Sequence, residues 1–264
     1  AMLVTGYMAK QHGAGAAGRP LVASRRGSGR GSCPFSFRRR PGLRSLTDRE
    51  EGPQERLHVV AVEDPIEFIF PGGKGLVSQR EGRSDTASYT DALRAALRQD
   101  PDIIMVGELR DREAADICLK AAETGHLVIT SLHTPDVPRA IGRLVGLFPA
   151  EEQDTVRARL ADNLQAVIAL RLLMRADAAG LIPAVEALLA TSTVRELIRD
   201  GSKITELKTY METAGSDLGM HSFDQYLYRL HESKHISLDS ALANATNRAD
   251  LERRILMETG GRTA

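Results

Sequence analysis

The chain has 264 residues, 42% of them hydrophobic and 27% charged, which is enough to bury a large core at the upper end of what one domain spans. Cys33 and Cys118 are its two cysteines, so a disulfide framework and a four-cysteine zinc site are both excluded, and a reducing, cytosolic setting is the expectation. The net charge of zero hides an asymmetry: nine of the 35 basic residues lie in residues 1–47, which hold no acidic one, leaving 26 basic against all 35 acidic side chains in the remainder. No run approaches the roughly 18 to 20 apolar residues of a membrane span, and Ala1 to Gly18 lacks the apolar block of a signal peptide, so membrane contact is expected only through partners.

In chain order, Met2-Leu3-Val4-Thr5-Gly6 reads as a short buried strand ending in a glycine turn. Residues 7–56 have no strand or helix periodicity. They are rich in Gly, Ser and Arg, are broken by Pro20, Pro34, Pro41 and Pro53, and read as a disordered basic tract. From Leu57 the pattern changes: Leu57-His58-Val59-Val60-Ala61-Val62 is a β-branched run with a polar tip, Glu63-Asp64-Pro65. The form recurs at Ile103 to Val106, tipped by Gly107-Glu108, and at Leu127 to Leu132, tipped by His133-Thr134. Three apolar strands with polar ends, separated by helical stretches, predict an α/β fold with a parallel sheet.

The helices between them are predicted at Tyr89 to Gln99, stopped by Asp100-Pro101, and at Asp111 to Glu123, closed by Gly125. Thr134-Pro135 reads as the N-cap and first turn of a third. Ligands of open α/β sheets bind off the carboxyl ends of strands, where Glu63, Asp64, Glu67, Glu108 and His133 are expected to gather. Beyond about Ala150 the strands are expected to give way mainly to helices. Ser222-x-x-Gln225 is a capping box, and Phe223, Tyr226, Leu227 and Leu230 form one apolar stripe that reads as core. The division expected is residues 1–56 (first strand 2–6 and the basic tract), 57–175 (the α/β core) and 176–264 (a small helical subdomain).

Three segments together resemble the type II/IV secretion ATPases. Glu63-Asp64-Pro65-Ile66-Glu67-Phe68 is similar to their acidic box. Asp100-Pro101-Asp102 through Val106-Gly107-Glu108-Leu109-Arg110-Asp111 is similar to their Walker B segment, and Thr124-Gly125-His126 through His133-Thr134 to their His box. Order and spacing match as well as the residues do. Ser192-Thr193-Val194-Arg195-Glu196-Leu197-Ile198-Arg199-Asp200 resembles the short helix of the pilus-retraction, twitching-motility branch, and the two cysteines leave no room for the zinc module of the assembly and secretion branches.

The resemblance implies a RecA-like P-loop NTPase core that uses ATP and Mg. It also implies a homo-hexameric ring, cytoplasmic at the inner-membrane face of a type IV pilus machine and working on a platform protein in that membrane, with no nucleic acid as partner. By it, Glu67 orients the attacking water and Glu108 serves the magnesium shell. Asp64 supports either, Glu63 belongs to the same nucleotide-facing box, and His133 senses phosphate. His126 is grouped with the cofactor-side residues, with a structural or a subunit-contact role as its alternatives. Arg110 reaches charge across a subunit boundary or pairs on the surface with Asp111 or Glu108.

One part of the pattern is missing. In the family, the strand ending in Val-Thr-Gly runs into G-x-x-x-x-G-K-[ST], whose amides, lysine and hydroxyl hold phosphate and magnesium. This sequence contains no Gly-Lys-Ser or Gly-Lys-Thr. Gly13 to Pro20 has the glycine spacing, but Arg19 stands for the lysine and Pro20 for the hydroxyl; Gly27 to Ser32 is a second poor copy. Two outcomes follow for the function: an ATP-driven motor subunit, or a non-hydrolysing ring subunit or relic that keeps the fold.

Overall fold

The computed structural model describes residues 2–8, 24–25, 35–36, 57–67, 69–70, 75–82, 85–86, 88–213 and 216–260. The strands are β1 (Met2–Met8), β2 (Ser24–Arg25), β3 (Phe35–Ser36), β4 (His58–Glu63), β5 (Leu76–Glu81), β6 (Ile103–Val106), β7 (Leu127–Leu132), β8 (Leu164–Met174) and β9 (Leu181–Leu189). The helices are α1 (Tyr89–Ala96), α2 (Arg112–Glu123), α3 (Val137–Val145), α4 (Gln153–Asn163), α5 (Ser192–Arg199), α6 (Glu206–Thr213), α7 (Phe223–Glu232), α8 (Leu238–Asn244) and α9 (Arg248–Gly260).

Seven of the described strands form one sheet in the order β5-β4-β6-β7-β1-β8-β9. Every pairing is parallel except β8 with β9. The fold is therefore α/β, and β4, β6 and β7 are neighbours, so their polar tips emerge side by side. Alternation along the strands separates two layers. Val62, Ile104, Val106, Val128 and Leu132 face the core shared with the helices, whereas Val59, Ala61, Ile103, Met105 and Ile129 face the other side. Both faces are buried, which is why these strands read as unbroken apolar runs.

The predicted helices form with local caps. Ser88 caps α1 through the Asp91 amide, and Asp111 caps α2 through the Ala114 amide. Gly125, at φ 103°, turns the chain into β7 in a left-handed conformation that glycine adopts without a Cβ penalty. The capping box at Ser222 and Gln225 is formed, and Phe223, Leu227 and Leu230 are buried in the core.

Four sequence expectations change. The third helix is capped by Asp136, which accepts from the Arg139 amide, and not by Thr134; Pro138 then lies in its first turn. The first strand runs to Met8 because the long β8 offers Leu170 and Arg171 as partners to Tyr7 and Met8. Within the basic tract, Ser24–Arg25 and Phe35–Ser36 pair antiparallel and are strand; the two glycine runs at 13–20 and 27–32 lie outside the described residues. Finally, the helices expected after residue 150 are interrupted by β8 and β9, two antiparallel strands of the main sheet, and position 176 falls in the turn between them. Leu164 to Met174 is a Leu- and Ala-rich run whose periodicity does not separate a buried strand from a buried helix.

Candidate active site at the strand tips

The tips of β4, β6 and β7 meet because the backbone lets them approach closely. The Gly107 amide donates to Val62 O at 2.8 Å, and a Cβ at Gly107 would lie 3.3 Å from Glu63 Cα and 3.4 Å from Val62 O. Leu109 N donates to Ser131 O at 3.1 Å, and the Ser131 hydroxyl donates to Gly107 O, so the turn after β6 is tied to both neighbouring strands.

On this frame Asp64, Glu108, Arg110 and His133 form one connected cluster. Arg110 Nε donates to Glu108 Oε2 at 2.8 Å, Arg110 Nη1 to Asp64 Oδ2 at 3.0 Å, and Arg110 Nη2 to Asp64 O at 3.2 Å. His133 Nε2 stands 3.4 Å from the other Glu108 oxygen. Both carboxylates are about three-quarters covered, while Arg110 and His133 are exposed. The Arg110 guanidinium is held above its ordinary pKa chiefly by its hydrogen bond to Glu108. Arg110 thus ties Asp64 to Glu108 within the chain.

Glu63 points elsewhere. It is buried, its Oε1 accepts from Gln79 Nε2 at 2.9 Å, and Gln79 Oε1 accepts from the Phe70 amide at 2.8 Å. Burial raises its pKa, Gln79 opposes this, and the charge of Glu67 adds to the rise. Glu67 itself is exposed beyond Pro65.

His126 is separated from the cluster. It precedes the first residue of β7 and His133 follows the last, so a six-residue strand lies between them, roughly 20 Å at the usual rise. Its Nδ1 lies 3.1 Å from both Thr124 Oγ1 and Ala121 O, at the end of α2. The cofactor-side placement of His126 therefore does not hold within one chain, because parallel strands put all their carboxyl ends, and not their amino ends, at one edge.

Tyr89 was not anticipated. The first residue of α1, it sends its hydroxyl between β4 and β6: Oη lies 3.2 Å from Val62 O and 3.4 Å from Glu108 O, and Glu108 N donates back to it at 3.4 Å. Burial pushes the phenol well above its usual range, so it is a neutral donor and acceptor that fixes the Glu108 backbone. A tyrosine opening a helix gives no local signal for such a contact.

Asp64 and Glu108 supply hard oxygen donors of the kind a magnesium ion takes, so the residues present fit that ion. What the described site does not include is a phosphate cradle. In the sheet, β1 lies between β7 and β8 with Gly6 opposite Leu132, so the chain leaves β1 beside His133, where the sequence departs from the family pattern.

The family model "Type II/IV secretion system protein" matches residues 49–186, more than half of the chain. The chain belongs to this family. A twitching motility protein of Neisseria gonorrhoeae is 43% identical over 190 residues, 72% of this chain and 50% of the relative. The type IV pilus retractation ATPase PilT of Pseudomonas aeruginosa is 44% identical over 188 residues, 71% and 54%. Among solved structures, the pilus retraction motor PilT with bound ADP superimposes with a TM-score of 0.67 at 41% identity, over 75% of this chain and 55% of that one. The ATPase DotB of Legionella pneumophila gives 0.67 at 26% identity over 92% and 60%. The chain spans about half the length of the curated relatives it matches. Among the described residues no helix is long and apolar enough to cross a membrane.

Proposed function

We propose that this chain is a subunit of a cytoplasmic, hexameric ring of the pilus-retraction branch, acting at the inner-membrane platform of a type IV pilus machine. Within that ring it keeps the acidic half of an ATP site and lacks the phosphate-binding half. The observation that carries this reading is the conjunction of a clustered Asp64, Glu108, Arg110 and His133 with a sequence that has no Gly-Lys-Ser/Thr after β1.

Magnesium, when bound with ATP, neutralises charge on the phosphates. Glu108 and Asp64 are the residues that would hold it, and Glu67, exposed near Glu63, is the candidate that orients water. His133, within reach of Glu108, suits a hydrogen bond to phosphate. Arg110 neutralises Asp64 and Glu108 through its ion pairs with both. Phosphoryl transfer also requires the amides, lysine and hydroxyl of a P-loop, and Arg19 and Pro20 are poor substitutes.

The reading predicts little or no magnesium-dependent ATP hydrolysis by the purified chain, with Glu108→Ala as control. Robust turnover abolished by that substitution would show a working cradle and restore the active-motor reading. An assembly or secretion ATPase of the same superfamily is the alternative, and twitching-motility and retraction proteins among the relatives favour the retraction branch.

A further inference from the structure

Between the candidate site and the C-terminal helices lies a charged group that the proposed chemistry does not use. Glu186 on β9 is 3% exposed, inside a strand that is otherwise apolar over Ala184 to Leu188. Its Oε2 accepts from the amide of Val137, the first residue of α3, at 2.7 Å. The backbone of Phe223, the first residue of α7, also hydrogen-bonds to this carboxylate. One buried carboxylate thus serves the amino-terminal ends of two helices, where unpaired amides and the helix dipole both favour negative charge.

Arg171 on β8 completes the arrangement. In the β8–β9 register it lies opposite Ala184, two residues from Glu186, so the two side chains share one face of the sheet. Its Nη2 donates to Pro135 O at 3.1 Å, its Nη1 to Asn244 O at the end of α8 at 2.6 Å, and its guanidinium sits 4.0 Å over the Phe223 ring. Pro135 and Val137 belong to the segment that begins with His133. Arg171 and Glu186 therefore hold, from the same side, Pro135 and Val137, the second and fourth residues after His133, together with the start of α7 and the end of α8.

We propose that Arg171 and Glu186 form a latch that sets the position of His133 and ties it to the C-terminal helices, making them positioning residues for the candidate site. Its importance to nucleotide sensing rests on the reading of His133 given above; the latch itself does not. The alternative is that these groups only stabilise the fold, as any buried network does. The two differ in what a substitution reaches: loss of a purely structural contact lowers stability everywhere, whereas loss of the latch releases two distant segments together.

The test is hydrogen exchange and imidazole NMR on the full chain without nucleotide. Glu186→Ala should speed exchange at the Val137 amide and at residues 223–226 together by about tenfold or more, the scale of a lost hydrogen bond to a charged group, and should shift the His133 ring signals. Glu186→Gln, which keeps an acceptor for the Val137 amide, should restore protection there. Should Glu186→Ala fail to fold, Arg171→Lys, which keeps the charge and loses the two-pronged contact, should move the same His133 signals. Leu173→Ala, a core change on the same strand, should leave them in place. Unchanged His133 signals in the latch variants, or an equal shift in Leu173→Ala, would overturn the proposal. Because no nucleotide is present, failure of the ATP-site reading would leave all these results standing.

Discussion

His221 is a residue whose surroundings set a measurable property. It is 2% exposed and stacked on Tyr226 with ring centroids 5.0 Å apart, and its Nε2 has no hydrogen-bond partner among the described residues. Burial, with Arg229 adding to it, pushes its pKa from 6.5 down to about 4. The folded protein therefore favours the neutral ring. The associated stability is fully present above pH 6.5 and is lost as pH falls toward 4, on the order of 3 kcal/mol across the window. Glu186 acts in the opposite sense: burial raises it from 4.5 to about 7, so its contribution is complete below 4.5 and lost as pH rises through 7. Urea unfolding of the parent and of His221→Phe from pH 7 to 4 separates the two, since phenylalanine keeps the stack and removes the titration. The variant should lose less stability than the parent on acidification; identical slopes would mean that His221 does not titrate as its burial requires. Tyr89→Phe, which removes only the hydroxyl between Val62 and Glu108, should cost about 1 kcal/mol in the same assay.

At the scale of elements, Arg195 shows how a helix with a family-like sequence is fastened. It lies on α5 and donates to the carbonyls of Ala161, Asp162 (2.7 Å) and Leu164 (3.0 Å), which are the free acceptors at the end of α4. Arg195→Ala should cost about 2 kcal/mol in chemical unfolding, and Arg195→Lys a substantial part of it, because one ammonium cannot span three carbonyls. A change below about 0.5 kcal/mol, the scale of an exposed ion pair, would show that the cap is not maintained in solution. Much of the element pattern was legible. β-branched runs with polar tips located β4, β6 and β7, and Asp111, Gly125 and Ser222 marked helix ends by local chemistry. β8 and β9 were not legible as strands, because each is paired and buried and neither alternates. Yet each carries one charge in an apolar run, Arg171 and Glu186, a signal that could have been followed. The cluster of Asp64, Glu108 and His133 was readable from strand ends, whereas the Tyr89 contact and the pairing of Arg110 with Asp64 depend on contacts across 19 and 46 residues of chain.

For the whole molecule, the sheet order brings the end of β1 beside His133, and on the proposed function it is the sequence after Met8 that decides whether a nucleotide is held. Each charge-assisted hydrogen bond to phosphate contributes roughly 1.5 to 3 kcal/mol, so absence of the P-loop lysine and the magnesium hydroxyl costs on the order of 3 to 6 kcal/mol of affinity. At about 1.4 kcal/mol per decade, a micromolar site becomes roughly millimolar or weaker. The most direct measurement is the dissociation constant for Mg-ADP by titration calorimetry, on the chain as it is and on a version in which residues 7–56 are replaced by an intact Walker A loop and helix. The account predicts no binding stronger than about millimolar for the first and binding restored by two or more decades in the second. Micromolar binding by the unaltered chain would contradict it.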